Sequence, residues 1–422
     1  MHSVTNAIPT GTIASIPAKA HAHRALICAA LANSPSTILL SRTSKDIDAT
    51  MDSLRGLGAH VVYENKVVTV TPGPVPAKGN VVPHESGTTL RLLLPVAASI
   101  CNDVDVDAKG RLPDRPLEPM LGEMKAHGVT FSQDKPPFTM TGRLQGGQFS
   151  MVGDVSSQFF SGLLLAAPQI GLSTITATTP LQSSDYVTLT TETMRDFGVE
   201  VEHTLPDTNI NEAFTVPFGV SFIGRDNYQI EGDWSNAAIW MVAAGMTGKP
   251  ITITGMNKNS VQADRRIMQV MIDAGCDVVW DGMNVTVTGR ASKPIHADLE
   301  QMPDMLPVMA ALACSISGES SFVKGARLRL KESDRLIAVA NLVRDLGGTV
   351  REEGDDLYII GSGILKGGQG DCVNDHRLVM AGTLMALISE NPVTLQDSEA
   401  ITKSYPDFFE DWNLLGGDAH GI

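Results

Sequence analysis

The sequence predicts a mixed α/β protein of two domains, and three observations carry that expectation. The chain has 422 residues, more than a single hydrophobic core ordinarily organises. Amphipathic, helix-like stretches alternate along it with short runs of alternating polar and apolar residues. One pattern also recurs six times: a helix-like stretch ends at a glycine, then come alternating residues, a turn and alternating residues again.

The instances are SLRGLGAHVVYENKVVTVTPG, EMKAHGVTFSQDKPPFTMTGR, TMRDFGVEVEH, MIDAGCDVVWDGMNVTVTGR, LVRDLGGTVREEGDDLYIIGSG and the truncated WNLLGG. Their glycines are Gly58, Gly128, Gly198, Gly275, Gly347 and Gly416, separated by 70, 70, 77, 72 and 69 residues. A helix stopped by a left-handed glycine and followed by a hairpin explains the pattern. The segments GMN, EGDD and ENK supply the turns. Such even spacing argues for a true repeat of about 70 residues.

Six units divide as three per domain. The last stops after Gly416 without a hairpin of its own, and the N-terminal VTNAIPTGTIASI can fill the gap. The C-terminal domain would then include the N-terminus, with the chain crossing near Pro17 and again between Gly224 and Glu231. The expected domains are residues 18–227, and residues 1–17 with 228–422.

Composition narrows the function classes. Hydrophobic content of 43% and charged content of 19% describe a globular protein. The net charge of -15 argues against a nonspecific nucleic-acid or membrane binder, although a basic pocket for a small anion remains open. Cys28, Cys101, Cys276, Cys314 and Cys372 are scattered, as expected of reduced thiols in a cytoplasmic protein. The first residues lack the apolar core of a signal peptide, and runs such as LLLAAP fall short of a membrane span.

Against that scaffold, cations stand where helices begin, although the helix dipole favours anions there. PAKAHAHRALICAALA places Lys19, His21, His23 and Arg24 at one helix start; alone, it reads as a solvated basic end. HESGTTLR offers Gly87 and two threonines before an apolar helix, suited to an anion or to ordinary capping. Arg115 precedes a helix expected from Pro116. Ser156, Ser157 and Gln158 open the apolar helix of VSSQFFSGLLLAAP, with Ser183 and Ser184 in a similar place before DYVTLTTETM. Asp304 begins MLPVMAALACSI. GARLRLKESDR is expected to present Arg327, Arg329 and Lys331 on one strand face before Glu332, Asp334 and Arg335. Arg377 opens LVMAGTLMAL, and Lys403 precedes the last helix. Helix starts and cations that converge in a cleft would suit a substrate carrying several negative charges.

These same residues carry a resemblance. KAHAHRALICAALA, SGTTLRLLLP, DRPLEPML, VSSQFFSGLLLAAP, EGDWSNAA, MPDMLPVMAALA, LRLKESDRL, NDHRLVMA and ITKSYPDFFEDW occur in order along nearly the whole chain. The chain thereby resembles the 5-enolpyruvylshikimate-3-phosphate (EPSP) synthase family, the 3-phosphoshikimate 1-carboxyvinyltransferases. The resemblance implies two domains, each of three βαβαββ units arranged as an inside-out α/β barrel, with the active site in the interdomain cleft. It implies transfer of the carboxyvinyl group of phosphoenolpyruvate to the 5-hydroxyl of 3-phosphoshikimate, with release of phosphate. No metal or organic cofactor is expected, and the protein is expected to be a monomer.

Carried over by position, Lys19 contacts both substrates. Arg24, Ser156, Ser157, Gln158, Ser183, Asp304 and Lys331 belong to the shikimate-phosphate side. Gly87, Arg115, Gln158, Arg335, Arg377 and Lys403 belong to the phosphoenolpyruvate side. Asp304 is the expected base, and Glu332 or Lys19 the proton donor. Three departures stand out: Ala20 replaces a usual serine, His23 a usual asparagine, and Arg327 an asparagine that contacts the shikimate ligand in some members. His21 or His23 is expected to compensate partly for the hydroxyl missing at Ala20. The alternatives are a UDP-N-acetylglucosamine carboxyvinyltransferase and a noncatalytic six-repeat ring around DNA.

Overall fold

The six repeat glycines all adopt positive φ, between 87° and 104°, a region that favours glycine because a side chain there meets its own backbone. Each ends a helix and starts a strand in a computed structural model that describes residues 1–207 and 211–422. The chain forms two compact units, Met1–Ile16 with Glu231–Ile422, and Pro17–Ile230. Among the described residues the strands fall into six four-stranded sheets, three in each unit.

One sheet illustrates all six. Gly79–Val81 pairs in parallel with Asp103–Val106, which pairs antiparallel with Phe138–Thr141, itself paired antiparallel with Thr130–Phe131. The order is edge strand, central strand, second hairpin strand, first hairpin strand. A helix links the first two and another precedes the hairpin, which is the βαβαββ unit.

The N-terminal residues complete two sheets of the unit to which they belong. His2–Val4 pairs antiparallel with both Val393–Gln396 and Ala419–Gly421. The last repeat therefore keeps the first strand of its hairpin and receives the second from the N-terminus. Gly11–Ala14 adds in parallel to Ile251–Thr254. In the other unit, Tyr228–Gln229 takes the corresponding edge beside Ser36–Leu39.

Each unit has two kinds of helix. Lys45–Gly56 is amphipathic, with Ile47, Met51 and Leu54 buried, Asp46 and Asp48 in its first turn, and Ser44 as cap. By contrast Lys19–Ala30, Gly87–Ile100 and Ser157–Ile170 are buried nearly all round and form the core of their unit. Trp234–Thr247, Leu306–Ser315 and His376–Ala386 do the same in the other. The starts of these buried helices position the candidate site.

Two expectations are corrected. Ala326–Leu330 is a 3-10 helix, not a strand. Alternation over five residues does not separate a period of two from one of three, and the result shows in burial: Leu328 is buried while Leu330 is 44% exposed. The helix after Arg115 begins at Met120 rather than Pro116, with Pro119 at its cap position and a 3-10 turn, Leu112–Asp114, before Arg115.

Helices Gly87–Ile100 and Ser157–Ile170 meet so closely at Gly162 that a Cβ there would lie 2.5 Å from the Arg91 carbonyl oxygen. Gly162→Ala is therefore expected to destabilise the protein by about 1–3 kcal/mol through overpacking, read as a lower urea midpoint. An unchanged midpoint would show that the helices separate freely.

Candidate active site

In the unit Pro17–Ile230, the start of helix Lys19–Ala30 lies almost entirely indoors. Its first residue, Lys19, bonds Asp46 Oδ2 through Nζ at 2.8 Å. Arg24 is 1% exposed, and four protein acceptors hold its guanidinium. Nε donates to Thr190 Oγ1 at 2.7 Å, Nη1 to the Ala20 carbonyl at 2.7 Å, and Nη2 to Ser161 Oγ at 3.2 Å and the Tyr186 carbonyl at 2.9 Å. Burial pushes Arg24 down to about 10, with Tyr186 opposing, so it stays charged at neutral pH. The same burial, with Arg24 beside it, lowers His21 to about 4. Burial and the charges of Lys19 and Arg24 hold His23 well below the usual histidine range.

His21 Nε2 lies 2.8 Å from Tyr228 Oη, and His23 Nδ1 lies 2.7 Å from Thr50 Oγ1.

Two helix starts in this unit are tied together. Ser86 caps Gly87–Ile100, its hydroxyl accepting from Thr89 N at 3.2 Å. Gly87 leaves room for Arg115: a Cβ would stand 2.6 Å from Arg115 Nη1. Ser156 caps Ser157–Ile170 by accepting from Gln158 N at 3.3 Å. The Gln158 amide accepts from Arg91 Nη1 at 3.1 Å and donates to Thr88 Oγ1 at 2.9 Å. Ser156, Ser157 and Ser183 are buried, Ser183 with φ 54° ahead of helix Asp185–Asp196.

In the unit containing Glu231–Ile422, Asp304 sits in the 3-10 turn Pro303–Met305 before helix Leu306–Ser315. Three cations surround its carboxylate: Lys331 Nζ at 3.0 Å, Arg335 Nη1 at 2.7 Å and Arg377 Nη2 at 3.7 Å. Burial alone would raise Asp304, but Lys331, Arg377 and Arg335 prevail and hold it well below the usual carboxylate range. Burial likewise lowers Lys331, with Asp304 opposing.

Arg335 is the centre of this cluster. It is 1% exposed and donates from Nε to Asp375 Oδ2 at 2.9 Å, from Nη2 to Asp375 Oδ1 at 3.1 Å, and from Nη2 to Glu332 Oε2 at 2.6 Å. Burial works against its charge, yet Asp375, Glu332 and Asp304 raise it above the usual arginine range. Asp375 also caps helix His376–Ala386, accepting from Arg377 N at 3.0 Å, and receives Ser333 Oγ at 3.0 Å. Lys403 Nζ donates to the Asn374 carbonyl at 2.8 Å. Arg329 lies apart, bonded to Asp334, Asp355 and the Gly354 carbonyl.

The structure therefore gathers Lys19, Arg24, Gly87, Arg115, Ser156, Ser157, Gln158 and Ser183 in one unit, and Asp304, Lys331, Glu332, Arg335, Arg377 and Lys403 in the other. The sequence reading passes over Asp46, Arg91, Asp264 and Asp375. Asp375 gave a signal, an acid directly before an apolar helix, but its Arg335 partner lies 40 residues away. Asp264 gave none. It is buried beside Ser235, whose hydroxyl donates to Oδ2. Burial raises it to about 6, with Asp304 reinforcing and Arg377 opposing.

A carboxyl raised in the folded chain holds its proton more tightly there than in the unfolded chain. The stability Asp264 contributes is therefore fully present below its ordinary value near 4 and is lost as pH rises through about 6. Asp264→Asn is expected to flatten that stretch of the stability curve and to unfold later than the parent above it, by up to about 3 kcal/mol. Urea midpoints across that pH range check this; an unchanged slope would mean another group titrates there. Asp375→Asn, which removes the fully buried carboxylate that meets Arg335 with both oxygens, is expected to cost about 3–5 kcal/mol in the same assay at neutral pH. A loss under about 1 kcal/mol would place the weight on Glu332 and Asp304 instead.

Comparison with known proteins agrees along the whole chain. The family model of EPSP synthase (3-phosphoshikimate 1-carboxyvinyltransferase) matches residues 7–412. A 3-phosphoshikimate 1-carboxyvinyltransferase of Clostridium kluyveri is 36% identical over 97% of this chain and 95% of its own. One from Methanocorpusculum labreanum is 34% identical, covering 97% of each. The solved structure of EPSP synthase from Acinetobacter baumannii superposes with a TM-score of 0.81, covering 100% of this chain and 99% of that one at 23% identity, a likeness of fold.

Proposed function

Because the chain belongs to the EPSP synthase family, we infer that it transfers the carboxyvinyl group of phosphoenolpyruvate to the 5-hydroxyl of 3-phosphoshikimate and releases phosphate. The observation that carries this reading is the meeting of Lys331, Arg335 and Arg377 on the single carboxylate of Asp304. The reaction needs both things that this arrangement supplies, cations for anionic substrates and a carboxylate to take a hydroxyl proton.

The attacking oxygen must lose its proton as it bonds to C2 of phosphoenolpyruvate, while C3 gains one. Departure of phosphate and loss of a C3 proton then restore the vinyl group. We assign the first proton to Asp304 and the delivery at C3 to Glu332 or Lys19. With Lys331, Arg377 and Arg335 stabilising its charge, Asp304 is a weak base. A phosphate or carboxylate that draws Arg335, Arg377 or Lys331 toward itself would raise the basicity of Asp304. Substrate binding would thus prepare the base.

The remaining assignments follow the family positions. Arg24, Ser156, Ser157, Gln158, Ser183 and Lys331 take 3-phosphoshikimate, Arg24 at its carboxylate and Ser156, Ser157, Ser183 and Lys331 around its phosphate. Gly87, Arg115, Arg335, Arg377 and Lys403 take phosphoenolpyruvate, with Gln158 and Lys19 touching both. Arginine forks suit this task because they meet carboxylate and phosphate oxygens in pairs. The functional domains are proposed as residues 18–227, and 1–17 with 228–422. No described helix is long and apolar enough to cross a membrane. Five buried thiols support a cytoplasmic setting; sedimentation at monomer mass and recovery in the cytoplasmic fraction would support a cytoplasmic monomer.

Phosphate release from phosphoenolpyruvate is expected to require 3-phosphoshikimate and not a UDP-amino sugar; the reverse would replace the acceptor. Asp304→Ala and Lys331→Ala are each expected to lower turnover by at least about a hundredfold. A fully active Asp304→Ala enzyme would remove Asp304 as the base.

A further inference from the structure

The buried imidazole of His23 is joined to a line of hydroxyls that none of the assignments above uses. Nδ1 lies 2.7 Å from Thr50 Oγ1, Thr50 Oγ1 lies 2.7 Å from Thr89 Oγ1, and Thr89 Oγ1 reaches Ser86 Oγ at 2.8 Å and the Asp46 carbonyl at 3.3 Å. His23, Thr50 and Thr89 are each fully buried. The line crosses three helices, from Lys19–Ala30 through Lys45–Gly56 to the capped start of Gly87–Ile100.

It also closes a ring. Lys19 and His23 stand four residues apart on one helix, as do Asp46 and Thr50 on the next, so each pair shares a face. Lys19 bonds Asp46 by its side chain at 2.8 Å, and His23 bonds Thr50. Thr89 joins the two contacts from the third helix. We propose that His23 is a positioning residue for Lys19: as a neutral Nδ1–H imidazole it drives a one-way hydroxyl relay through Thr50 and Thr89 that fixes Asp46 and the Gly87 helix start around the Lys19 ammonium.

The direction of the relay follows from its far end. A carbonyl oxygen only accepts, and each threonine hydroxyl has one proton to give. Thr89 spends its proton on Asp46 O or Ser86 Oγ, so Thr50 must donate to Thr89, and Nδ1 must donate to Thr50. Nε2 is then a bare acceptor, and it has no hydrogen-bond partner among the described residues. The opposite tautomer would bury an N–H in that place, which costs more. Burial together with the charges of Lys19 and Arg24 keeps the ring neutral, in agreement. An asparagine would place its amide nitrogen about where Nδ1 stands, so it can drive the same relay, whereas leucine cannot.

The role of Lys19 rests on the proposed function; the relay does not, and the experiment separates the two. In histidine-labelled protein at neutral pH, nitrogen-15 spectra should show His23 protonated on Nδ1 and bare on Nε2. His23→Leu should lose about tenfold in kcat with an unfolding temperature at or above that of the parent, because a neutral buried imidazole gives way to an apolar side chain. His23→Asn should stay within about twofold of the parent, since a single well-placed donor restores the relay. Thr50→Val should match His23→Leu, and the double variant should be no worse than either, as expected of one chain of bonds. An Nε2–H signal, a fully active His23→Leu enzyme, or a loss of kcat that tracks a loss of stability would overturn the proposal. Retained turnover in Lys19→Ala would instead remove the catalytic role of Lys19, leaving the spectrum and the double variant to decide on the relay.

Discussion

A guanidinium that folding has taken out of water has to find counter-charge, and much of the unit around Glu231–Ile422 is arranged to supply it to Arg335. Arginine does not escape the cost of burial by giving up its proton. Asp375 meets it with two oxygens, and Glu332 and Asp304 add one each. Those acids belong to three different stretches of chain, the turn before Leu306–Ser315, the turn before Arg335–Asp345 and the cap of His376–Ala386. One buried charge therefore pins three helix starts, and with them Arg377 and the Asn374 carbonyl that holds Lys403.

The other unit buries its arginine differently. Arg24 has hydroxyls and carbonyls for partners, and its pKa falls to about 10 where that of Arg335 rises. The chemical consequence is opposite in the two places. Around Arg335 three carboxylates already balance Lys331, Arg335 and Arg377, so on the proposed function an incoming anion competes with Asp304, and that competition frees Asp304 as the proposed base. Around Arg24 no hydrogen bond to a carboxylate among the described residues dilutes the positive charge, and the neutral histidines at positions 21 and 23 add none.

What could be read from the sequence was whatever a short stretch decides alone. The repeat was legible because a helix ending in left-handed backbone selects glycine, as at Gly58 or Gly347. Helix starts and their cations were legible because caps and apolar runs are local signals. The 3-10 turn Ala326–Leu330 was not, since its leucines and arginines fit a strand equally well until burial separates Leu328 from Leu330. Asp375 and Asp264 stayed hidden because their importance comes from partners distant in sequence. His23 was visible as a departure, but its bond to Thr50, 27 residues on, was not.

Basic residues at helix starts looked misplaced, because each opposes the dipole by about 0.3–1 kcal/mol. The fold resolves this locally rather than by a common device. Lys19 is matched by Asp46, Arg24 by a girdle of neutral acceptors, Arg335 by three acids and Lys403 by a carbonyl. Because the same unit repeats, helix starts at equivalent places in the unit carry similar dipoles. The chemistry that distinguishes one start from another must therefore reside in these partners. On the function proposed above, a partner that is itself a carboxylate, as at Asp304, is the one that serves as base. Neutral dipoles, as around Arg24, leave the positive charge uncancelled, which suits the anion-binding role proposed for it.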